Sequence, residues 1–376
     1  MIQENNTFIH HNSISGEHAD GNIWCGHRIA IDNPDNEIQF AVEYAVAKPK
    51  DMSEFIKQFA RRNRAEVHVA WNAGNAMTQK VLDSLRYSDY YLGIPLGMLI
   101  YRGETLGTPF FNKPCLVINQ EGDPGIDRFD TSNGITISCR SRTVEFPPEV
   151  RNLDGKKVEL PDFCFYDLLH EKEEIVGNGR VIMRLSGNVI KEIINTRKGD
   201  MVKLKPVGIT ISVDYDAFPP TWDMREKELN IKVHGTEEFQ HGIEGGPILV
   251  KSGKSDISLD EEGWNRASSK LLYTSPKGFS EGRTERMILG REKDGNILLL
   301  LINEEGESTG SSLKEAAEIA LGFGLEDAMI INQDSFGEIY TPTQSYKVNH
   351  TKKTPGLYSV MIGYTKQKPA QEPIQK

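Results

Sequence analysis

Apolar and polar residues form their clearest pattern in the last quarter of the chain. A Lys-Asp-Gly-Asn turn precedes six consecutive apolar residues at 297–302, which is typical of a strand buried on both faces. Ser312 and Glu315 have the spacing of a capping box, and apolar residues follow them at helical intervals. A second apolar run at 328–331 predicts another strand. The order strand, helix, strand predicts a right-handed crossover unit.

The first quarter of the chain carries similar signals. Alternating apolar residues predict three strands, at 28–32, 37–47 and 66–71. Asp51 and Glu54 have capping-box spacing, and the apolar residues that follow predict a helix over 52–63. The last of the three strands ends at an Asn-Ala-Gly-Asn segment, the first place where polar side chains follow a buried strand.

These elements predict one large domain over residues 23–364. Residues 1–22 are polar and are expected to be loosely ordered, and the Lys-, Gln- and Pro-rich tail at 365–376 is expected to be disordered. Residues 119–203 interrupt the regular pattern. We interpret them as an insertion or small subdomain with a helix near 165–172.

Composition places the chain among ordinary globular proteins. Hydrophobic residues make up 38% and charged residues 26% of its 376 residues. The formal net charge is −10, and Arg-Arg-Asn-Arg at 61–64 is the longest basic cluster. Because phosphate backbones require a broad basic face, this balance argues against nucleic-acid binding. No apolar stretch reaches the ~18 residues of a membrane span, so no membrane partner is predicted.

The ends of the chain and the cysteines bear on its compartment. The first residues lack the basic-then-apolar pattern of a secretory signal, which as written predicts a cytoplasmic protein, with a secreted mature fragment as the alternative. The four cysteines, Cys25, Cys115, Cys139 and Cys164, lack the paired spacing of zinc or redox sites. Buried free thiols are predicted, and two disulfides are the alternative.

Three motifs resemble motifs of the phosphodiester glycosidase family, and they occur along the chain in the same order as in that family. Residues 286–290, the apolar strand, the helix and the Ile-Asn-Gln-Asp at 331–334 resemble the family's Arg-Thr-Ala-Ile-Gly, strand, helix and Asn-Leu-Asp-Gly-Gly-Gly-Ser. Residues 69–74 resemble its Asn-Gly-Gly segment, and residues 242–250 its Gly-Gly-Pro-x-Leu-Val segment. The resemblance implies an α+β fold, a mixed and twisted β-sheet with flanking helices.

The resemblance also implies a site for a phosphodiester-linked sugar. Cleavage of such a bond needs a carboxyl group near the glycosidic oxygen and a cradle for the phosphate. Asp334, just past a predicted strand end, is the candidate catalytic acid or base, with Glu244 and Glu338 as partners. The candidate substrate-binding residues supply cations, amides or close backbone approach: Asn72, Gly74, Gly245, Gly246, Arg283, Arg286, Asn332 and Ser335. No cofactor is predicted, although oxygens of the three carboxylates could hold a divalent cation such as calcium or magnesium.

Departures from the family motifs leave the function open. Met287 stands where the family has threonine, and Ser335, Phe336 and Glu338 replace two glycines and a serine. The first hypothesis is a hydrolase acting on a sugar-phosphate or nucleotide-like diester. The alternatives are a binding protein that sequesters such a ligand, and a structural or interaction module. Each motif also has an ordinary role, since arginines in polar loops are usually surface residues and Gly-Gly-Pro is usually a turn. The oligomeric state cannot be predicted.

Overall fold

A computed structural model describes residues 8–33, 36–223, 228–266, 280–304, 306–331, 337–347 and 356–367. Strands dominate these residues, and helices are few. The strands are β1 Ile9–Glu17, β2 Ile23–Ile31, β3 Gln39–Tyr44, β4 Ala65–Asn72, β5 Leu99–Tyr101, β6 Glu104–Gly107, β7 Pro114–Asn119, β8 Pro124–Arg128, β9 Ile135–Cys139, β10 Arg142–Phe146, β11 Phe163–Tyr166, β12 Glu174–Val176, β13 Val181–Ser186, β14 Val189–Asn195, β15 Met201–Lys203, β16 Thr210–Val213, β17 Asn230–Val233, β18 Phe239–Glu244, β19 Ile248–Lys251, β20 Lys254–Ser255, β21 Arg286–Glu292, β22 Ile297–Ile302, β23 Leu325–Ile330, β24 Glu338–Tyr340, β25 Ser345–Lys347 and β26 Ser359–Lys366. The α-helices are α1 Met52–Asn63, α2 Gln79–Leu85 and α3 Leu313–Gly322, and short 3-10 helices lie at Asp89–Tyr91, Pro148–Val150 and Pro220–Trp222.

The strands form three large sheets and two small ones. The seven-stranded sheet has the order β1-β2-β22-β21-β23-β19-β20, and the eight-stranded sheet β10-β9-β17-β6-β5-β18-β7-β8. The five-stranded sheet is β25-β24-β4-β26-β3, and the small sheets are β11-β16-β13-β14 and β12-β15. Neighbouring strands that pair within these sheets run antiparallel. The expectation of a mixed sheet is therefore wrong for the described strands.

The predicted strand–helix–strand unit is present as β22, α3 and β23. In the sheet, β21 lies between its two strands. β22 and β23 each run antiparallel to β21, so they are parallel to each other on either side of it. α3 connects them and covers the outer face of the seven-stranded sheet. Its capping box is confirmed, because Ser312 Oγ accepts a hydrogen bond from the Glu315 backbone N–H, and the Glu315 carboxylate accepts one from the Ser312 N–H.

The main core lies where the three large sheets face one another. Trp71 from β4, Ile243 from β18 and Leu299 from β22 belong to this one buried cluster. α1 covers the opposite face of the five-stranded sheet through Phe55 and Phe59. Asp51 caps α1 in extended backbone but makes no side-chain capping bond, so the capping box predicted there is absent.

Two other expectations differ from the structure. Residues 9–17, expected to be loosely ordered, form β1 and pair along their full length with β2. Most β1 side chains are exposed, and although Ile9 and Ile14 pack against core clusters, they are too few to give a recognisable apolar pattern. The helix expected near 165–172 is also wrong, because β11 occupies its start and turns follow. The β11 residues Phe163, Cys164, Phe165 and Tyr166 pair with β16, and bulky aromatic side chains suit a pleated strand.

Residues 119–203 contribute to more than one sheet. β9 and β10 extend the eight-stranded sheet, whereas β11, β13 and β14 join β16 in a separate sheet that packs on it. In the predicted tail, residues 365 and 366 belong to β26, and residues 368–376 lie outside the described part.

Candidate functional site

Two of the three predicted motifs meet at the end of β23. Ile331, at the end of β23, donates its N–H to Met287 O of β21 at 2.9 Å. Gly246 donates its N–H to Ile330 O at 2.7 Å, so the Gly-Gly-Pro turn lies against the same strand end. Asn332, Asp334 and Ser335 directly follow this point in the chain, but residues 332–336 lie outside the described residues.

Backbone contacts occupy the N–H groups of the Gly-Gly-Pro turn. Gly245 donates to Pro114 O at 2.9 Å, as Gly246 does to Ile330 O. Gly246 has φ +112°, and a Cβ there would lie 2.7 Å from Pro114 Cδ. A side chain is therefore excluded by both conformation and space. In this structure the two glycines allow close packing of strands, and their amides are directed at protein carbonyls.

Arg286 is buried at the start of β21. Its Nε donates to Ser311 O at 3.0 Å, and its Nη2 donates to Gly282 O at 3.2 Å. Burial lowers the pKa of Arg286 to about 10, against the attraction of Glu285 and Glu304. The guanidinium therefore remains charged at neutral pH, and it tethers the loop before β21 to the start of α3.

Arg283 forms ion pairs at the same helix start. Its guanidinium binds the Glu315 carboxylate and also contacts Asp20 at 2.8 Å. Hydrogen bonding from Arg283 lowers the pKa of Glu315 to about 2, and the same bond raises the pKa of Arg283. Arg283 thus links α3, its capping box and the turn after β1.

Asn72 and Glu338 meet at the end of β4. Asn72 Oδ1 accepts a hydrogen bond from the Glu338 backbone N–H at 2.6 Å. The neighbouring Ile339 faces the main core, so strand alternation places the Glu338 side chain on the α1 side of the sheet, where Lys347 Nζ lies 3.3 Å from its carboxylate. Burial raises the pKa of Glu338.

Gly74 follows two residues after Asn72. It has φ +76°, and a Cβ would lie 2.7 Å from the Ile243 side chain, so the segment packs directly on β18. Ala73, which stands where the family has glycine, has no positive φ and is therefore unstrained.

Glu244 lies on the opposite face of β18 from Ile243, away from the main core. Its Oε2 accepts hydrogen bonds from the Met98 and Phe110 N–H groups, each at 2.9 Å. Its Oε1 is buried and has no hydrogen-bond partner among the described residues. Burial raises the pKa of Glu244 to about 7, although Lys113 opposes the shift. Because Glu338 faces α1 on another sheet, the structure does not bring these two carboxylates together.

Sequence reasoning missed the charged residues around Glu244. Lys113 is fully buried, donates to Glu262 O at 3.0 Å, and lies 4.1 Å from the centre of the Trp264 ring. The Glu262 carboxylate accepts hydrogen bonds from Arg128 and Trp264 Nε1. Desolvation lowers the pKa of Lys113 to about 8. We call Lys113, Glu244 and Glu262 the buried charge cluster.

One sequence signal could have indicated part of this cluster. Lys113 stands in Pro-Phe-Phe-Asn-Lys-Pro-Cys, where a lone charge among aromatic and apolar residues suggests burial with a partner. The partners are more than 100 residues away, so the sequence gives no means of choosing them.

The described part of the chain contains no recognisable metal site. No group of three or more His, Cys, Asp or Glu side chains there could hold a metal ion. The cation suggested for Asp334, Glu244 and Glu338 would require Glu244 and Glu338 to converge, which they do not. Within the described helices, none combines the length and apolar character needed to span a membrane. The four cysteines are free thiols, three of them buried.

Two solved structures share this fold at low sequence identity, and a third superposes less well. A Synechocystis protein superposes with a TM-score of 0.55 at 15% identity, covering 95% of this chain, which spans 62% of that protein's length. A Burkholderia pseudomallei protein gives 0.52 at 13% identity, covering 91% of this chain and 74% of that one. The catalytic domain of zebrafish N-acetylglucosamine-1-phosphodiester alpha-N-acetylglucosaminidase, auto-inhibited by its pro-peptide, gives 0.49 at 10% identity, covering 96% of this chain and 84% of that one.

Sequence comparison narrows the assignment. No curated protein matches the chain. A family model does match, over residues 171–332, from within the segment interpreted as an insertion to the end of β23. The predicted resemblance is therefore confirmed, and residues 171–332 are a phosphodiester glycosidase family match.

Proposed function

We propose that this protein is a hydrolase of phosphodiester-linked sugars, with its reaction centre at the end of β23. The observation that carries the proposal is the family match over residues 171–332, which runs to the sheet edge where β21, the Gly-Gly-Pro turn and β23 meet. Asp334, two residues beyond the match, is the proposed acid that protonates the leaving oxygen.

Arg286 would act through its charge. The side chain is bonded to protein carbonyls, so it does not present a free fork to a phosphate. This buried cation would still attract an anion to the strand end, because screening inside the protein is weak, although Glu285 and Glu304 oppose part of that attraction. A negatively charged diester would be held at this edge by what remains of that attraction.

One observation favours a second candidate, a binding protein without turnover. The Gly245 and Gly246 N–H groups bond to protein carbonyls, so they do not offer donors for the charge that develops on a transferring group. A site with a fixed positive potential and few donors would retain an anionic sugar without accelerating its cleavage.

The two candidates are separated by measuring binding and product release together, for a panel of sugar-phosphate diesters. Asp334→Asn keeps the shape of the side chain but removes proton transfer, which is worth about 10²–10⁴-fold in rate. A hydrolase should lose product release to that extent while ligand affinity stays nearly constant. Asp216→Asn, at an exposed residue in the turn after β16, is the matched control and should leave the rate unchanged. Binding without release by the unsubstituted protein, for every diester, would establish the binder instead.

A further inference from the structure

Two buried carboxylates flank the Gly-Gly-Pro turn at residues 245–247. Glu244 directly precedes the turn, and Glu262 bonds to the residue that follows it, because Glu262 Oε1 accepts the Ile248 N–H at 3.1 Å. The Glu262 side chain is completely buried, and it comes from the segment after β20. The far end of the turn is therefore held by a side chain from a different part of the chain.

The same segment places an aromatic ring on the turn. Trp264 Nε1 donates to Glu262 Oε2 at 2.7 Å. A Cβ on Gly246 would lie 3.2 Å from the Trp264 ring, so this ring packs directly against the turn. Glu262 thus holds the turn in two ways, by its own bond to Ile248 and through the ring beside Gly246.

Two cations fix Glu262 itself. Arg128 donates to Glu262 Oε1 from Nε at 3.2 Å and from Nη2 at 3.0 Å, and Lys113 Nζ donates to the Glu262 carbonyl oxygen at 3.0 Å. Arg128 is shared, because its Nη1 also lies 3.2 Å from Asp256 and 3.7 Å from Glu261. Among the described residues, Oε1 receives three N–H donors and Oε2 one, so the carboxylate has a defined orientation.

The turn is in turn bonded to the end of β23. Gly246 donates its N–H to Ile330 O at 2.7 Å, and Ile330 donates its N–H to Pro247 O at 3.0 Å. This reciprocal pair fixes the strand end relative to the turn. The chain continues from this point to Asp334, the proposed acid, and a reacting group needs such support to keep its productive geometry.

We infer that Glu262 is a positioning residue for the proposed reaction centre, because it fixes the Gly-Gly-Pro turn against the end of β23. This role rests on the proposed function, but the hold on β23 can be measured without any substrate. A displacement of about 1 Å can cost about 10²-fold in rate, so a fully buried side chain can still set kcat.

The test compares Glu262→Ala with Glu262→Gln by amide hydrogen exchange. The alanine variant lacks every side-chain acceptor, so the Gly246, Ile248 and Ile330 amides should exchange at least about tenfold faster than in the wild type. The glutamine variant retains one oxygen, which should occupy the Oε1 position because most donors converge there. It should therefore restore slow exchange.

Kinetics provide the second measurement, with the methyl diester of glucose 1-phosphate as the probe. Glu262→Ala should lower kcat by about 10²-fold and change KM by less than about threefold, because it displaces the reacting group rather than the bound sugar. Glu262→Gln should recover most of this kcat. Should Glu262→Ala fail to fold, Glu262→Asp takes its place with the same expected direction, since the shorter side chain withdraws the carboxylate from Ile248.

Asp167, in the turn after β11, provides the matched control. Its carboxylate is also buried, with 8% of the side chain exposed, and it accepts bonds from Arg151 and Asn152, each at 2.7 Å. The sheet that contains β11 includes neither β19 nor β23. Asp167→Ala should destabilise the protein while leaving kcat and exchange at the Gly-Gly-Pro turn unchanged.

Three results would overturn the positioning role: unchanged exchange in Glu262→Ala, the same acceleration at the turn in Asp167→Ala, or faster exchange with unchanged kcat. Failure of the proposed function gives a different result. A wild type that releases no glucose from the diester contradicts the hydrolase, whereas faster exchange in Glu262→Ala alone would still establish that Glu262 fixes the end of β23.

Discussion

Two groups of charged residues lie near the predicted site, and they differ in how far they are removed from water. In the buried charge cluster, desolvation moves the pKa values of Glu244 and Lys113 toward neutrality, to about 7 and about 8. At the start of α3, Arg283 and Glu315 are partly exposed and directly bonded, and the pKa of Glu315 falls to about 2. The sign of the Glu244 shift is thus opposite to that of Glu315.

The contrast shows which ionisable residues stabilise the fold as charges. Direct pairing with retained hydration makes the ionised form of Glu315 the favoured one. Around Glu244 the loss of water outweighs the attraction of Lys113, because the carboxylate receives backbone bonds at one oxygen and none at the other. The stability contributed by Glu244 and that contributed by Glu315 therefore depend on pH in opposite directions.

The largest expected effect on stability comes from removing the cation, Lys113, from the buried charge cluster. Lys113→Met preserves length and apolar packing among the aromatic rings, but leaves two buried carboxylates without it. Removing one partner from a buried set of opposite charges costs about 3–5 kcal/mol. We expect the free energy of unfolding, measured with denaturant, to fall by that amount. Lys314→Met, at a helix residue with an 84% exposed side chain, should change it by less than about 0.5 kcal/mol. Equal effects of the two substitutions would show that the cluster contributes no more than surface charges.

A smaller effect should appear in the pH dependence of stability. The folded-state pKa of Glu244 is about 7, above its ordinary value of 4.5, so folding favours the protonated carboxyl. The stability that this protonated carboxyl contributes is fully present below about pH 4.5 and is lost as the pH rises to about 7. The glutamine of Glu244→Gln does not titrate. As the pH rises across that window, the unfolding free energy of the wild type should therefore fall relative to that of the variant by on the order of 3 kcal/mol.

Glu315→Gln provides the opposite case for the same measurement. Its lowered pKa means that the wild type gains stability above about pH 4.5 and loses it as the pH falls toward about 2. Unfolding curves at closely spaced pH values should therefore give slopes of opposite sign for the two pairs of proteins. Parallel slopes would contradict the contrast drawn from the structure.

The smallest predicted effect concerns the space beside Glu244. A Cβ on Gly97 would lie 2.1 Å from Glu244 Oε1, so Gly97→Ala should displace the carboxylate and cost about 1–3 kcal/mol of unfolding free energy. Gly322→Ala is the control, because no atom lies within 4 Å of its Cβ and helical alanine is favoured. It should be neutral or slightly stabilising. A Gly97→Ala protein as stable as the wild type would show that Glu244 can move freely.

Local patterns explain which parts of the fold could be predicted. The capping box at Ser312 and the apolar run of β22 depend on neighbours in the sequence, and both are as expected. β1 consists mostly of exposed residues, and its pairing with β2 leaves no apolar pattern. The absence of parallel pairing could not be deduced either, because β21 separates β22 from β23 only once the sheet has formed.

The candidate site was predictable only at the level of motifs. β21, the Gly-Gly-Pro turn and the end of β23, which carry motif residues, come together in the structure. Motifs did not reveal that Arg286 bonds to carbonyls, or that Glu244 faces Lys113, since both follow from packing between distant segments. The roles of Asp334, Asn332 and Ser335 remain predictions, because they lie outside the described residues.

The position of β26 has a consequence for folding during synthesis. It is the last described strand, yet it lies between β3, which ends 315 residues earlier (359 − 44), and β4, which ends 287 residues earlier (359 − 72). Until β26 leaves the ribosome, β3 and β4 cannot join, and each presents an open edge with unpaired backbone groups. Those edges are templates for pairing with another chain. We expect α1, which shares an apolar cluster with both strands, to cover one face of this half-sheet until β26 is made.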